Sequence, residues 1–217
     1  MSTRTVFIGG HGKIALLLEP QLVDRGDTVT AVIRNPDQQS DVAATGAQAH
    51  VADITTLDVA QIADLIRGSD VVVWSAGAGD GVPERTKAID RDAAIRSIDA
   101  AVEAGVRRYI MVSYFRAKTD HGVPPENSFF AYAEAKAAAD THLRASDLDW
   151  TIVAPSALTL DPPTGCIDAE ATESGSVSRA DVAAVIAAVM ADPTTIGRTI
   201  RFNSGTVPIE EAIAAQP

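Results

Sequence analysis

Apolar residues along the chain fall into short, nearly unbroken runs, separated by longer stretches where they recur every three or four positions. The runs are TVFIGG (5–10), TVTAVIR (28–34), AQAHVAD (47–53), DVVVWSAG (70–77), RRYIMVS (107–113), DWTIVAP (149–155) and RTIRFN (198–203). Continuous apolar character over so few residues fits strands covered on both faces. Between them, Ile14, Leu17, Leu18 and Leu22 make the stripe of a first helix, with Gly26 as its stop. Ile62, Leu65 and Ile66 repeat the pattern before Gly68, and 85–104 reads as a long helix stopped by Gly105. Further helices are expected over 129–145 and 179–191, with a short last one at IEEAIAA. Pro20 lies inside the first helix, where the missing N–H predicts a bend.

Strict alternation of strand and helix predicts an α/β fold: a doubly wound parallel sheet with helices on both faces, a three-layer sandwich joined by right-handed crossovers. At 217 residues the chain falls short of an eight-unit barrel, which takes about 250. No repeat, low-complexity tract or linker divides it. Residues 1–217 therefore read as one domain, with a small substrate-side portion from about 155 to the end. Open sheets of this kind hold ligands outside the carboxyl ends of their strands, where strand order reverses.

The composition, 46% hydrophobic and 22% charged, suits an ordinary folded domain. A net charge of −11 without a basic stripe argues against nucleic acid, though a local cluster of donors can still hold a phosphorylated small ligand. A single cysteine, Cys166, excludes an internal disulfide and a CxxC pair. His11, His50, His121 and His142 lack metal-ligand spacing, so no metal is expected. The apolar run begins too early for a signal peptide, and no run is long enough to span a bilayer. A cytoplasmic protein without membrane partners, monomer or homodimer, is the expectation.

Three glycines in four positions, Gly9, Gly10 and Gly12, follow the first strand and precede the first helix. Gly10-x-Gly12-x-x-Ala15 and Gly9-x-x-Gly12-x-x-Ala15 are both dinucleotide-binding spacings, and the strand–turn–helix context strengthens the reading. The turn Gly9–Ile14, including His11 and Lys13, would present free N–H groups and the helix dipole to a diphosphate. The glycines would make room for the ligand. The second strand ends at Arg34, whose planar fork suits a ribose 2′-phosphate and favours NADP, with NAD possible if Asp37 takes the hydroxyl instead. Asp53 and Ile54 after the third run, and Ser75, Ala76 and Gly77 after the fourth, fall at consecutive carboxyl ends where a cofactor would cross.

Tyr132 and Lys136 lie four apart on one helical face, and Ser113 ends the fifth strand. Together with the glycine turn, APSAL (154–158) and the SRADVA helix start (178–183), these residues make the chain resemble the short-chain dehydrogenase/reductase superfamily. The closer resemblance is to its atypical, NmrA-like NAD(P)H-binding branch. The resemblance implies a Rossmann-type sheet and NAD(P)H-dependent reduction of a carbonyl or quinone-like small molecule. It makes Tyr132 the proton donor and Ser113 a hydrogen bond to the substrate oxygen. Lys136 would hold the nicotinamide ribose and lower the Tyr132 pKa. Pro155, Ser156, Ala157 and Leu158 would line the nicotinamide end. Lowering a phenol from ~10 to ~7.5 takes about 3.4 kcal/mol, which an ammonium at ~4.5 Å and an effective dielectric of ~20 supplies. Ala154 and the bulky Tyr114 and Phe115 depart from the branch on the substrate side. A cofactor-sensing regulator is therefore the rival reading. A sugar-nucleotide epimerase is a third, disfavoured because only some sixty residues follow the sixth run. The polar stretch 117–128 is expected to act as a lid.

Overall fold

The computed structural model describes residues 2–79 and 81–215. Six β-strands arise from the first six apolar runs: β1 (Arg4–Ile8), β2 (Thr28–Ile33), β3 (Gln48–Val51), β4 (Val71–Trp74), β5 (Arg108–Val112) and β6 (Asp149–Pro155). Short strands β7 (Ala157–Thr159), β8 (Cys166–Asp168) and β9 (Ser176–Ser178) come next, and β10 (Arg198–Ser204) and β11 (Val207–Pro208) close the set. The main sheet has the order β11-β8-β10-β6-β5-β4-β1-β2-β3. Pairing is parallel from β10 through to β3, while β8 pairs antiparallel with β10 and β11. Strand order reverses at β1, which lies between β2 and β4.

The helices are α1 (Ala15–Asp24), α2 (Gln39–Ala44), α3 (Val59–Ile66), α4 (Pro83–Thr86), α5 (Ala94–Ala104), α6 (Phe130–Arg144), α7 (Arg179–Ala191) and α8 (Ile209–Ala215). Strand alternation splits the core into two layers. Phe7, Val73, Ile110 and Val153 face α1, α7 and α8, whereas Ile8, Trp74, Met111 and Ile152 face α3, α5 and α6. Two-sided burial is what the continuous apolar runs required.

Several expectations are revised. The helix expected over 85–104 begins at Pro83 and contains a π-helical segment, Lys87–Ala93, between α4 and α5. Leu17 of the first stripe points outward, 41% exposed. α1 does run on through Pro20 to Asp24, as the periodic pattern indicated. α2 lies in a stretch with only Val42 buried, which left no periodic signal.

The SRADVA stretch has a structural explanation. Ser178 caps α7 by accepting from the Asp181 amide at 3.0 Å, and the buried Asp181 carboxylate accepts from the Thr164 and Gly165 amides. Arg179 donates to the Leu158 and Thr159 carbonyls, tying β7 to the start of α7.

One buried acid is only half satisfied. Glu19 on α1 is wholly enclosed; Oε2 accepts from Thr45 Oγ1 at 2.8 Å and Oε1 has no partner. Burial pushes its carboxyl up to about 7, against the pull of Thr45 and His11. Between the unfolded value of 4.5 and 7, the folded chain holds a proton that the unfolded chain has released. Stability from this group is therefore greatest at low pH and falls as pH rises through 7, by about 3 kcal/mol in all. Urea unfolding from pH 5 to 8 is expected to show that loss in the parent and not in Glu19→Gln; equal slopes in the two proteins contradict the assignment.

Candidate active site

Where strand order reverses, the ends of β1 and β4 and the turn before α1 meet. Gly9 has φ +94°, and a Cβ there would lie 2.6 Å from the Ala76 amide nitrogen. A Cβ on Gly10 would lie 2.4 Å from the Ala31 Cβ on β2. Both contacts are impossible, so packing within the protein already requires a bare backbone at these two positions. Their amides both donate to the Val32 carbonyl, at 3.2 and 3.0 Å, pinning the turn to β2. Gly12 alone of the three meets no such wall: its Cβ would come within 3.1 Å of the Gly9 carbonyl oxygen and otherwise face the cavity.

That cavity, about 240 Å³, is lined by Gly9, His11, Gly12, Arg34, Asp53, Ile54, Ser75, Ala76 and Gly77, among others. Residues from the ends of four separate strands thus converge as the topology rule demands. Leu16 is the first amide of α1 to find a helical carbonyl, Gly12 O at 3.0 Å. The amides of Lys13, Ile14 and Ala15 find none among the described residues, and a diphosphate fits donors of this kind. Gly10 and the side chains of Lys13 and Ile14 do not line the cavity; Lys13 is exposed and Ile14 belongs to the core. His11 Nε2 sits 2.8 Å from Asp41 Oδ2, tying the turn to α2.

Arg34 lines the cavity from the end of β2, and Arg85 of α4 lines it as well. Arg85 escaped sequence reasoning because it comes from a helix start remote in sequence, with no motif around it. Asp53 Oδ1 accepts from both the Thr55 amide and hydroxyl. Against desolvation, those bonds with Arg34 and Arg85 hold the Asp53 carboxyl below its ordinary range.

A second cavity, about 460 Å³, lies beyond the ends of β5 and β6. Ser113, Tyr132, Pro155, Ser156, Ala157 and Leu158 line it. Tyr114, Phe129 and Tyr132 form an aromatic wall, with ring centroids 5.1–5.5 Å apart. Ser156 is fixed from behind, donating to Asn203 Oδ1 and accepting from the Gly175 amide. The stretch 117–122 does not border this cavity; it borders a groove beside it. His121 pins it to α6, with Nε2 at 2.7 Å from Glu134 Oε1.

Lys136 and Ser113 are each engaged. The Lys136 ammonium donates to the Val112 carbonyl at 2.6 Å and is 1% exposed. Ser113 donates to Asp140 Oδ2 at 2.6 Å, and the other Asp140 oxygen is buried without a partner. Tyr132, Lys136 and Asp140 stand four apart on α6, a spacing that could have pointed to Asp140. The Tyr132 phenol is raised above its ordinary value, first by burial and then by the Asp90, Asp140 and Tyr114 charges. This corrects the expected lowering by Lys136: two carboxylates act on the phenol, while the ammonium donates to the Val112 carbonyl at the end of β5. Asp90 reaches the site from the π segment, accepting from the Ala78 amide at 3.0 Å.

Fold and site together define a NAD(P)-binding Rossmann-type protein. A family model described as NAD(P)H-binding matches residues 9–193, and the chain belongs to that family, within the atypical, NmrA-like short-chain dehydrogenase/reductases. YhfK of Bacillus subtilis, named an uncharacterized sugar epimerase, is 32% identical over 97% of this chain and 98% of its own length. A Bacillus halodurans structure assigned as a NAD-dependent epimerase/dehydratase is 31% identical with a TM-score of 0.90, covering 99% of this chain and 100% of that one. The oxidoreductase YlbE of Lactococcus lactis is 26% identical with a TM-score of 0.86, covering 97% of this chain and 95% of its own. Among the described residues no helix is long and apolar enough to cross a membrane.

Burial also raises Tyr109, and pushes Tyr114 up to about 12. With Tyr132 raised too, all three tyrosines should stay protonated well past the usual phenol range. A spectrophotometric titration of the folded chain should show no phenolate below about pH 11. One-third of the signal appearing near pH 10 or below in the parent, and lost in Tyr132→Phe, would show the Tyr132 phenol unraised and contradict the description.

Proposed function

We propose that the protein is an NADP(H)-dependent reductase of a small carbonyl or quinone-like compound. The observation that carries this reading is the pair of cavities along one strand-end line: unpaired amides and two arginines at one end, and the Tyr132 phenol and Ser113 lining the other. The turn at Gly12–Ala15 would hold the diphosphate, Arg34 and Arg85 the 2′-phosphate, and Asp53 and Ile54 the adenine side. Bound there, the cofactor supplies a hydride.

The chain's own residues do the rest. Tyr132 holds the proton that a substrate oxygen takes up as its carbon is reduced. Ser113 turns from Asp140 to donate to that oxygen, or keeps Asp140 as its acceptor and receives a substrate hydroxyl. Lys136, fixed on the Val112 carbonyl, keeps donors free for a ribose hydroxyl. The buried phenol holds its proton at neutral pH, as a donor to a reduced carbonyl oxygen must, and the upward shift makes it a weaker acid than a free tyrosine. Two of the relatives carry an epimerase name, so that alternative has its own test: an epimerase shows no net NADPH consumption.

Two outcomes are expected. NADPH should bind more tightly than NADH, and Arg34→Ala should cost NADPH roughly tenfold while sparing NADH; equal affinities in the parent defeat the NADP assignment. Tyr132→Phe should reduce turnover about a hundredfold, with NADPH affinity intact, in a screen of aldehydes, ketones, quinones and flavins. Unchanged turnover removes Tyr132 from the chemistry, and firm binding without any turnover favours the cofactor-sensing regulator.

A further inference from the structure

β10 is bare on one face. Ile200 and Phe202 are buried against the layer of α7 and α8, so Thr199 and Arg201 turn to the opposite face, where α6 is the last helix. A groove of about 670 Å³ runs there between α6 and β10, roofed by the chain around 114–122. Lys118, Arg144 and Arg201 line it. Arg144 reaches only Thr199 Oγ1 at 3.3 Å, and neither Lys118 nor Arg201 has a carboxylate partner among the described residues. A fourth cation, Arg116, is tied to Glu173 in an exposed ion pair, which costs little to open. Four cations around one groove, against Asp120, Asp140 and Glu173, stand out in a chain of net charge −11.

Two polar groups at the groove's inner wall are buried and unpartnered: the Tyr114 hydroxyl and Asp140 Oδ1, the latter on a residue with no exposed surface. Burial pushes the Asp140 carboxyl up, against Lys136, the Ser113 hydrogen bond and Arg144. Asp120 also lines the groove, and His121 there is already bonded to Glu134.

We propose that this groove is an oxyanion-binding site, taking a carboxylate or phosphate group on Arg144, Arg201 and Lys118, with the Tyr114 hydroxyl as an inner donor. The Tyr114–Arg116 stretch borders both this groove and the cavity holding Tyr132. The anion is therefore either the acidic end of a substrate that passes over that stretch, or a separate small molecule. The site itself does not depend on the reductase reading.

Titration of the full chain with inorganic phosphate, followed by residue-resolved NMR, tests it. Shifts are expected at Tyr114, Thr199 and Arg201, and the double variant Arg144→Ala/Arg201→Ala should weaken that binding at least about tenfold. Arg67→Ala, an exposed arginine paired with Asp64, should leave it unchanged. Phosphate shifts at Gly12–Ala15 should survive in the double variant and report that it is folded. Shifts confined to Gly12–Ala15, or equal affinity at the groove in parent and double variant, overturn the proposal. With NADPH, a raised KM for acidic quinones but not neutral ones in the double variant assigns the anion to the substrate; unaltered KM values with phosphate binding lost assign it to a separate ligand. Absence of NADPH oxidation with every compound sinks the reductase reading and leaves the phosphate result standing.

Discussion

The close approach of the Gly9–Gly10 turn to β2 and β4 governs the architecture of the site. A Cβ at Gly9 would enter the backbone of Ala76, and one at Gly10 would enter Ala31, so the chain leaves β1 in a space only a bare backbone can use. Both amides then spend themselves on the Val32 carbonyl. The consequence is felt one turn later: α1 begins with its first amides unpaired, at the point where strand order reverses. A helix start aimed at a cleft by such a clamp costs nothing to reorganise when an anion arrives.

The far end of the cleft obeys a different constraint. α6 brings Tyr132, Lys136 and Asp140 along one side, and the π segment before α5 brings Asp90 against it. Burial and acidity together keep the phenol protonated. Ser113 and Lys136 are each held by a short hydrogen bond, to Asp140 and to the Val112 carbonyl, before any ligand enters. Of the two Asp140 oxygens, one fixes Ser113, and the other remains free at the wall of the neighbouring groove.

The parallel sheet was legible because two-sided burial leaves continuous apolar runs, and each run holds a strand whose ends agree with it to within about two to three residues. β7, β8, β9 and β11 were not legible, since two or three residues cannot establish a period. The π segment at 87–93 hides within an ordinary helical pattern because a single wide turn shifts the period by one residue. Residues singled out at consecutive strand ends, Arg34, Asp53, Ile54, Ser75, Ala76 and Gly77, do converge on one cavity, because topology places those ends together. What sequence reasoning missed, Arg85 and Asp140, depends on which helix faces packs toward the cleft. The lowered Tyr132 pKa failed for the same reason: a four-residue spacing places an ammonium on the right face but says nothing of the carboxylates opposite.

The central claim is that the helix start after this clamped turn is the diphosphate seat. The most direct measurement is an NMR titration of the amides of Lys13, Ile14 and Ala15 with NADP. The account predicts saturable shifts at all three, larger than those elsewhere on α1. Saturating nucleotide that leaves these amides in place, or moves only residues outside the cleft, contradicts it.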